Sequence, residues 1–178
     1  MRWRSVMLLF RPCSKVARMN KRLFLGVCMT QFLVACSTVS RQSTTSQSYP
    51  NNPAKRQDIV MQAIAMLDRG YTYGGKKLHT GFDCSGLVTF VYKESAGIAI
   101  KGSAAQMAEA ARPVNASQAH PGDLVFFNTL GSPFSHVGIY IGDGKFVHAA
   151  NERTGVKTER LSHSYWSKRF EGYRTVFA

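Results

Sequence analysis

The apolar residues of this chain change their spacing at the segment AHPGD, residues 119–123. Before this segment, apolar side chains recur every three to four residues, which places them on one face of an α-helix. After it, they alternate with other residues as they do in β-strands. Helices followed by a run of strands are typical of an α+β domain. The sequence therefore predicts N-terminal helices packed on an antiparallel β-sheet.

Three helices are predicted before the change of spacing. The first covers residues 55–69, and the second covers residues 84–95 and ends at Gly97. A third begins at Ser103, whose hydroxyl can cap the helix while Gln106 reaches back to the cap. The apolar positions expected to face the core are Ile59, Val60, Ala63, Ile64, Met66 and Leu67 in the first helix and Leu87, Val88, Val91 and Tyr92 in the second.

Strands are predicted after the change of spacing. Four segments alternate most clearly, namely DLVFFN (123–128), HVGIYIG (136–142), KFVHAA (145–150) and GYRTVF (172–177). Residues 156–160 have weaker strand character.

The first 35 residues are predicted to be a secretory signal. From Met19 the chain has a basic start and then an apolar run that is too short for a comfortable membrane span. The run ends in LVAC, which resembles the bacterial lipobox, and Cys36 is therefore predicted to carry a lipid. Ser37 after it resembles the pattern of lipoproteins retained at the Gram-negative outer membrane. An ordinary signal peptide or an anchor helix is the alternative, and Met1 and Met19 both stay open as translation starts.

Residues 36–53 are predicted to form a lipidated cysteine and a disordered tether. Fourteen of the seventeen residues from 37 to 53 are Ser, Thr, Gln, Asn or Pro. Such a composition buries too little apolar surface to order the segment. The folded domain is then expected to cover residues 54–178.

The net charge of +13 is unevenly distributed and does not indicate a nucleic-acid-binding protein. Residues 1–35 hold seven Lys or Arg and no acid, which leaves sixteen basic and ten acidic residues, a net +6, for the rest. After residue 55 no stripe of Arg and Lys alternates with aromatic residues, as nucleic-acid recognition would favour. The remaining excess favours a solvated basic face, with an anionic surface as the alternative partner.

The cysteine count isolates one thiol in the exported domain. Cys13 and Cys28 belong to the predicted signal and Cys36 to the predicted lipid anchor, so Cys84 remains alone. It has no partner for a disulfide, and close-spaced Cys or His ligands for zinc are absent from the sequence. A lone exported cysteine is either an inert buried residue or a reactive one.

Cys84 occupies the first turn of a predicted helix, where free backbone N–H groups and the helix dipole favour a thiolate. Asp83 opposes this effect, although its carboxylate can cap the helix. Cysteine catalysis also needs a base and a group that orients the base. Of the histidines, His136 and His148 share the predicted strand pair, whereas the others lie in loops or polar segments and are expected at the exposed surface: His79, His120 and His163.

Four motifs in order, YTYGG, GFDCSGLV, HPGDLVFF and SHVGIYIGDGKFVHA, resemble the NlpC/P60 bacterial cell-wall peptidases, a papain-like family. The resemblance covers about residues 56–178. It implies a cysteine peptidase that hydrolyses peptide stems of peptidoglycan, with Cys84 as nucleophile and His136 as general base. His148 then takes the third polar position and orients the imidazole of His136. No metal or cofactor is implied.

The resemblance also implies a set of residues around the thiol. Tyr71 is expected to line the cleft and to help the backbone N–H of Cys84 hold the oxyanion, with Tyr73 as the alternative. Asp83 is expected either to bind a free amine of the stem peptide or to cap the helix. Ser85 completes the residues predicted for substrate or oxyanion binding.

Two other functions fit the same sequence. An acyltransferase or amidase would use the same acyl-enzyme chemistry, and a non-catalytic wall-binding lipoprotein would need no thiol. Within the peptidase interpretation, the γ-D-glutamyl–diaminopimelate bond and the diaminopimelate–D-alanine cross-link are both candidate substrates. The expected location is the cell envelope, with the lipid anchor in the outer membrane and the domain facing the periplasm.

The turn between the two histidine strands decides whether the histidines can cooperate. The dipeptide Asp-Gly at 143–144 is the usual signal for a two-residue turn. That turn pairs Ile139 with His148 and puts His136 on the opposite face of the sheet. A three-residue loop, or an equivalent one-residue bulge, pairs Gly138 with His148 and returns both imidazoles to one face, roughly 7–8 Å apart by backbone. We predict this second arrangement.

Overall fold

The computed structural model of the protein describes residues 48–178. The predicted signal, the lipidation at Cys36 and residues 36–47 of the predicted tether lie outside the described residues. The helices are α1 (Pro53–Ala65), α2 (Cys84–Ala96), α3 (Ala104–Ala110) and α4 (Ser164–Ser167), with a 3-10 turn at Ala116–Gln118. The strands are β1 (Lys76–Lys77), β2 (Gly81–Phe82), β3 (Arg112–Val114), β4 (Leu124–Phe127), β5 (His136–Gly142), β6 (Lys145–Asn151), β7 (Gly155–Arg160) and β8 (Phe170–Thr175).

Six of the strands form one antiparallel sheet in the order β3-β8-β4-β5-β6-β7. The two short strands β1 and β2 form a separate hairpin beside α2. Helices α1 to α3 precede the sheet in the chain, which confirms the predicted α+β class. Among the described residues, no helix combines the length and the apolar character needed to cross a membrane.

The main core lies between helices α1 to α3 and the sheet. The four residues predicted to face inward from α2, Leu87, Val88, Val91 and Tyr92, are all fully buried. Burial of each such side chain contributes about 2 kcal/mol. The α2 helix ends at Gly97, which takes a left-handed conformation with φ 66° as a helix-terminating glycine should. The helix that carries the candidate nucleophile is therefore held along its whole length.

Helix α1 ends earlier than predicted. It stops at Ala65 rather than at residue 69, and Ile64, predicted to face inward, is 41% exposed. Beyond the helix, Asp68 has a positive φ of 62°, and its N–H donates to the carbonyl oxygen of Val156 on β7 at 3.0 Å. The chain leaves the helical path because the backbone of Asp68 bonds to the sheet. Helical spacing does not reveal this long-range contact.

The predicted disordered tether is wrong for its last residues, 48–53. Tyr49 forms a bridge with Phe177: its N–H donates to Val176 O at 2.8 Å, and its carbonyl accepts from Ala178 N at 2.7 Å. Asn52 caps α1, with its side-chain oxygen accepting from two backbone N–H groups of the first turn. The described fold thus begins before residue 54, because backbone pairing and capping order a segment that has few apolar side chains.

A buried ion pair ties α1 to the sheet. Arg56 Nη1 donates to Asp123 Oδ1 at 2.7 Å, and Nη2 donates to Thr175 Oγ1 at 3.1 Å. The side chain of Asp123 is only 1% exposed. The pair therefore fixes the helix against the start of β4.

We expect Asp123→Ala to lower the free energy of unfolding by about 3–5 kcal/mol, because Arg56 would keep a buried charge without its partner. Urea unfolding followed by circular dichroism measures this change. Lys93→Ala is the control, since the Lys93–Glu94 pair is largely exposed and its loss should cost less than about 1 kcal/mol. An Asp123→Ala variant as stable as the control variant would contradict the prediction.

Candidate active site

Cys84 is the first residue of α2 and follows a capping aspartate. Asp83 Oδ1 accepts from Gly86 N at 2.6 Å and from Ser85 Oγ at 3.0 Å, and Oδ2 accepts from Gly74 N at 2.9 Å. The capping interpretation of Asp83 is therefore confirmed by its contacts. The same contacts tie the start of α2 to the glycine-rich loop before β1.

That loop packs directly on the helix start. A Cβ atom placed on Gly86 would collide with the carbonyl oxygen of Gly75, so only glycine permits this approach. The N–H of Asp83 also donates to Gly75 O at 3.0 Å. The two glycine-containing motifs, YTYGG and GFDCSGLV, thus form one unit that positions Cys84.

The two histidines of β5 and β6 share one face of the sheet, as predicted. His136 Nε2 lies 2.9 Å from His148 Nδ1, within hydrogen-bond distance. The two imidazoles share a face because β5 contains a bulge. Gly142 pairs with Lys145 across a two-residue turn, whereas Tyr140 pairs with Phe146, so β5 has one extra residue between these two pairs. The prediction is confirmed in its bulge form, and the three-residue loop is wrong.

Both imidazoles are buried, which favours their neutral forms. Burial lowers the pKa of His136 to about 4, against an opposing effect from the Asp83 carboxylate. Burial, and then the neighbouring His136 and Lys157, lower the pKa of His148 well below its ordinary value. At neutral pH the pair therefore carries no net charge, with one ring nitrogen donating to the other.

The thiol does not have the low pKa expected from its position in the first turn. Burial raises the pKa of Cys84, and the Asp83 carboxylate raises it further. Backbone hydrogen bonds from Val137, Ser85 and Cys84 itself act in the opposite direction without outweighing burial. The resting site therefore holds a thiol rather than a thiolate, and a base is needed to remove its proton.

Cys84 and His136 line one open cleft of about 570 Å³. Tyr71, Asp83 and Ser85 line the same cleft, so five of the six residues predicted for the catalytic and substrate-binding set converge there. The sixth, His148, is fully buried behind His136. No group of three or more His, Cys, Asp or Glu side chains within residues 48–178 is arranged to hold a metal ion.

The geometry separates the two tyrosines of the YTYGG motif. Tyr71 is half-buried, and its pKa is raised by burial and then by the neighbouring Cys84 and Asp83. Tyr73 lies at the rim with 88% of its surface exposed. Tyr71 is therefore the tyrosine beside the thiol. Three histidines are exposed, as expected: His79, His120 and His163.

Trp166 covers the histidine pair, and no sequence motif indicated this residue. Its ring centroid lies 5.6 Å from that of His136 and 4.8 Å from that of His148. It belongs to α4, a four-residue helix within a polar segment. Such a segment carries no periodic signal, and only the folded chain reveals this contact.

The fold and the cleft together define a papain-like α+β protein in which a cysteine at a helix start lies near a histidine pair. The NlpC/P60 family model matches residues 68–175, and the chain belongs to this family. The family predicted from four sequence motifs is thereby confirmed.

The relatives include proteins named for two different activities. Murein DD-endopeptidase MepH of Escherichia coli (strain K12) is 39% identical over 137 residues, which cover 75% of this chain and 51% of that protein. Gamma-DL-glutamyl hydrolase of Bacillus subtilis (strain 168) is 37% identical over 117 residues, 65% of this chain and 28% of that protein. The chain thus spans about half or less of the length of these relatives.

A solved structure has the same fold. A Staphylococcus aureus subsp. aureus Mu50 protein, described as similar to a lipoprotein of the NLP/P60 family, superposes with a TM-score of 0.64 at 31% identity. The match covers 75% of this chain and 45% of that one. The papain-like architecture of residues 48–178 is therefore that of the family.

Proposed function

We propose that this protein is a peptidoglycan endopeptidase that hydrolyses an amide bond in the peptide stem or cross-link. One observation carries the proposal: Cys84 and His136 line the same cleft, and His136 is hydrogen-bonded to the buried His148. A nucleophile, a base and a group that orients the base are what thiol catalysis requires. The names of the relatives, a murein endopeptidase and a glutamyl hydrolase, support the substrate class.

The first half of the reaction begins from a neutral thiol and a neutral imidazole. Nε2 of His136 is engaged by His148, so Nδ1 is the ring nitrogen free to take the proton of Cys84. As the proton moves, Sγ attacks the amide carbon and the carbonyl oxygen becomes an oxyanion. The imidazolium then gives the proton to the leaving amine, the C–N bond breaks, and a thioester remains on Cys84.

Water completes the cycle. Nδ1 of His136 takes a proton from the water as its oxygen attacks the thioester carbon. Collapse of the second tetrahedral intermediate breaks the C–S bond and releases the new carboxylic acid, and the proton on His136 returns to Sγ. The sum of both halves is addition of one water across one amide bond.

The remaining cleft residues have supporting roles in this proposal. The backbone N–H of Cys84, at the free start of α2, and the hydroxyl of Tyr71 hold the developing oxyanion. Asp83 caps α2 and also lines the cleft, so its carboxylate can attract an amine of the stem peptide. Ser85 donates to Asp83 and thereby orients that carboxylate.

Digestion of purified sacculi by the full chain, followed by mass spectrometry of the muropeptides, tests the proposal. Hydrolysis produces one new amine and one new carboxylate at the cut bond, and the fragment masses reveal which bond it is. An acyl group transferred to an acceptor amine would instead support an acyltransferase. Undigested sacculi that retain the bound protein would support a wall-binding lipoprotein.

The neutral resting state predicts the pH dependence of kcat/KM. Cys84 and His136 together hold one transferable proton. Activity therefore falls at low pH, when a second proton binds to them, and at high pH, when the last proton leaves. Because burial lowers the pKa of His136 to about 4 and raises that of Cys84, the profile should be broad. We expect an acidic limb near the His136 value and an alkaline limb above the ordinary thiol range.

Thiolate absorbance, taken as the difference between wild type and Cys84→Ala, provides the check on this assignment. At pH 7 the difference should be absent, and it should grow only above the ordinary thiol range. A strong thiolate band at neutral pH would mean that the site rests as an ion pair.

We also propose that the chain is exported and lipid-anchored at Cys36 in the cell envelope, with the outer membrane as the site of the anchor. The LVAC motif supports this proposal, as does the lipoprotein description of the Staphylococcus aureus structure. Ser37 after the cysteine supports the outer membrane.

Cys36→Ser is expected to block incorporation of labelled fatty acid and to shift the membrane fractionation of the protein. The purified variant should keep wild-type activity on soluble muropeptides, because the substitution lies outside the catalytic domain. A wild-type protein that incorporates no label would contradict the anchor.

A further inference from the structure

Trp166 contacts more of the candidate catalytic site than its exposed surroundings suggest. It is 8% exposed although it belongs to a four-residue helix in a polar segment. Its indole touches four rings of the central strands, at centroid distances of 4.8–5.6 Å: Phe127, His136, Phe146 and His148. The plane of the indole is nearly parallel to that of His136, at 26°, and nearly perpendicular to that of His148, at 82°.

His148 has a ring nitrogen that no polar group satisfies. Within residues 48–178, its Nε2 is the buried side-chain nitrogen or oxygen atom without a hydrogen-bond partner. The rings of Phe146 and Trp166 lie beside it, with centroids 5.0 and 4.8 Å from that of the imidazole. The only acceptors that these neighbours offer are aromatic faces, which accept weakly from N–H groups.

The proposed mechanism determines where the protons of the pair must be. Nδ1 of His136 has to be unprotonated to accept the proton of Cys84, so the single proton of neutral His136 is on Nε2. This N–H donates to His148 Nδ1, and His148 must then carry its own proton on Nε2. The catalytic tautomer thus directs the Nε2–H of His148 towards the rings of Phe146 and Trp166, which together form an aromatic cage.

We propose that Trp166 is a positioning residue for the histidine pair, which it holds in the catalytic tautomer and orientation by stacking on His136 and closing the cage around His148 Nε2. This inference rests on the proposed function. The stacked indole also faces the imidazolium that forms when His136 takes the proton of Cys84. At 5.6 Å the ring distance is within the range of cation–π attraction.

The charged and titratable groups that shift the pKa values of the two histidines lie on elements other than α4. Asp83, which precedes α2, raises the pKa of His136, and Lys157 on β7 lowers that of His148. Cys84 lines the same cleft as His136. None of these groups changes when Trp166 is replaced, so a shift in the titration of His136 would report the loss of the indole cover.

Trp166→Phe and Trp166→Leu in the full chain test the proposal. Phenylalanine keeps an aromatic face, so we expect kcat within about threefold of wild type, whereas leucine should lower kcat at least about tenfold with little change in KM. Leucine should also move the acidic limb of the pH profile upwards, because burial is the largest effect on the pKa of His136 and its relief by water outweighs the lost cation–π contact. Wild-type kcat and an unmoved limb in folded Trp166→Leu would overturn the proposal.

Phe170→Leu is the matched control. Phe170 packs in the same aromatic cluster, on Phe127 and Tyr173, without stacking on either histidine. We expect a similar loss of thermal stability with wild-type kcat and an unmoved acidic limb. If the control loses as much kcat as Trp166→Leu, the effect of the tryptophan is only structural and the proposal fails.

Nitrogen-15 NMR of the histidines in the wild-type chain at pH 7 gives a readout that needs no substrate and no variant. We expect His148 to be protonated at Nε2 and His136 at Nε2. Protonation of His148 at Nδ1 would overturn the tautomer assignment even if Trp166→Leu fails to fold. Since the measurement is independent of cleavage, failure of this inference is distinguishable from failure of the proposed function.

Discussion

Cys84→Ala is expected to reduce the cleavage of peptidoglycan at least about 10⁴-fold, because the substitution removes the thiol that forms the covalent intermediate. The fold should survive the change. Cys84 is the first residue of α2, and alanine is the best helix former. The free energy of unfolding should therefore stay within about 1 kcal/mol of wild type.

Release of muropeptides and urea unfolding, measured on the same preparation, check both halves of this prediction. Ser95→Ala is a suitable control, because Ser95 lies in the last turn of the same helix, where its hydroxyl bonds only to Val91 O. That variant should cleave like wild type. A folded Cys84→Ala variant that still cleaves at a rate near wild type would remove Cys84 as nucleophile.

The elements that could be predicted from the sequence are those that local chemistry determines. Ser103 and Gln106 form the predicted capping box, with both reciprocal hydrogen bonds present. The four inward positions of α2 were also correct, because helical spacing directly reflects which face is buried. The four clearest strand segments all coincide with strands, although β8 begins and ends two residues earlier than predicted. Each of these features is decided within about one turn or one strand.

The elements that could not be predicted depend on partners far along the chain. Asp68 leaves the helical path to bond with Val156, and Tyr49 is ordered by Val176 and Ala178. Strand β3 was also missed: its three residues, RPV, are too few for alternation to appear, and β8 supplies its pairing. In each case the contact that decides the structure is absent from the local pattern.

The candidate site divides in the same way. Two features of the site follow from local rules. Cys84 lies at a helix start, and His136 and His148 lie on one face of the sheet if their imidazoles are required to meet. The raised pKa of the thiol does not follow from those rules, because burial by the whole fold outweighs the helix start. Local rules also do not predict that Trp166 covers the histidine pair, since α4 reaches the pair only when β7 and β8 are in place.

His148→Leu is expected to lower kcat about 10²–10⁴-fold, because a correctly oriented and correctly protonated imidazole is worth that much in comparable catalytic sets. Leucine fills most of the buried space but cannot accept from His136 Nε2. The neutral imidazole of His136 would then be free to carry its proton on Nδ1, the nitrogen that must receive the proton of Cys84. The imidazolium would also lose its buried partner.

The pattern of kinetic change distinguishes this role from substrate binding. His148 is fully buried behind His136 and does not line the cleft, so KM should change little while kcat falls. His148→Asn, whose amide oxygen can still accept from Nε2, should recover part of kcat. A folded His148→Leu variant with wild-type kcat would show that His136 is oriented without it, and the bulge in β5 that aligns the two rings would then need another explanation.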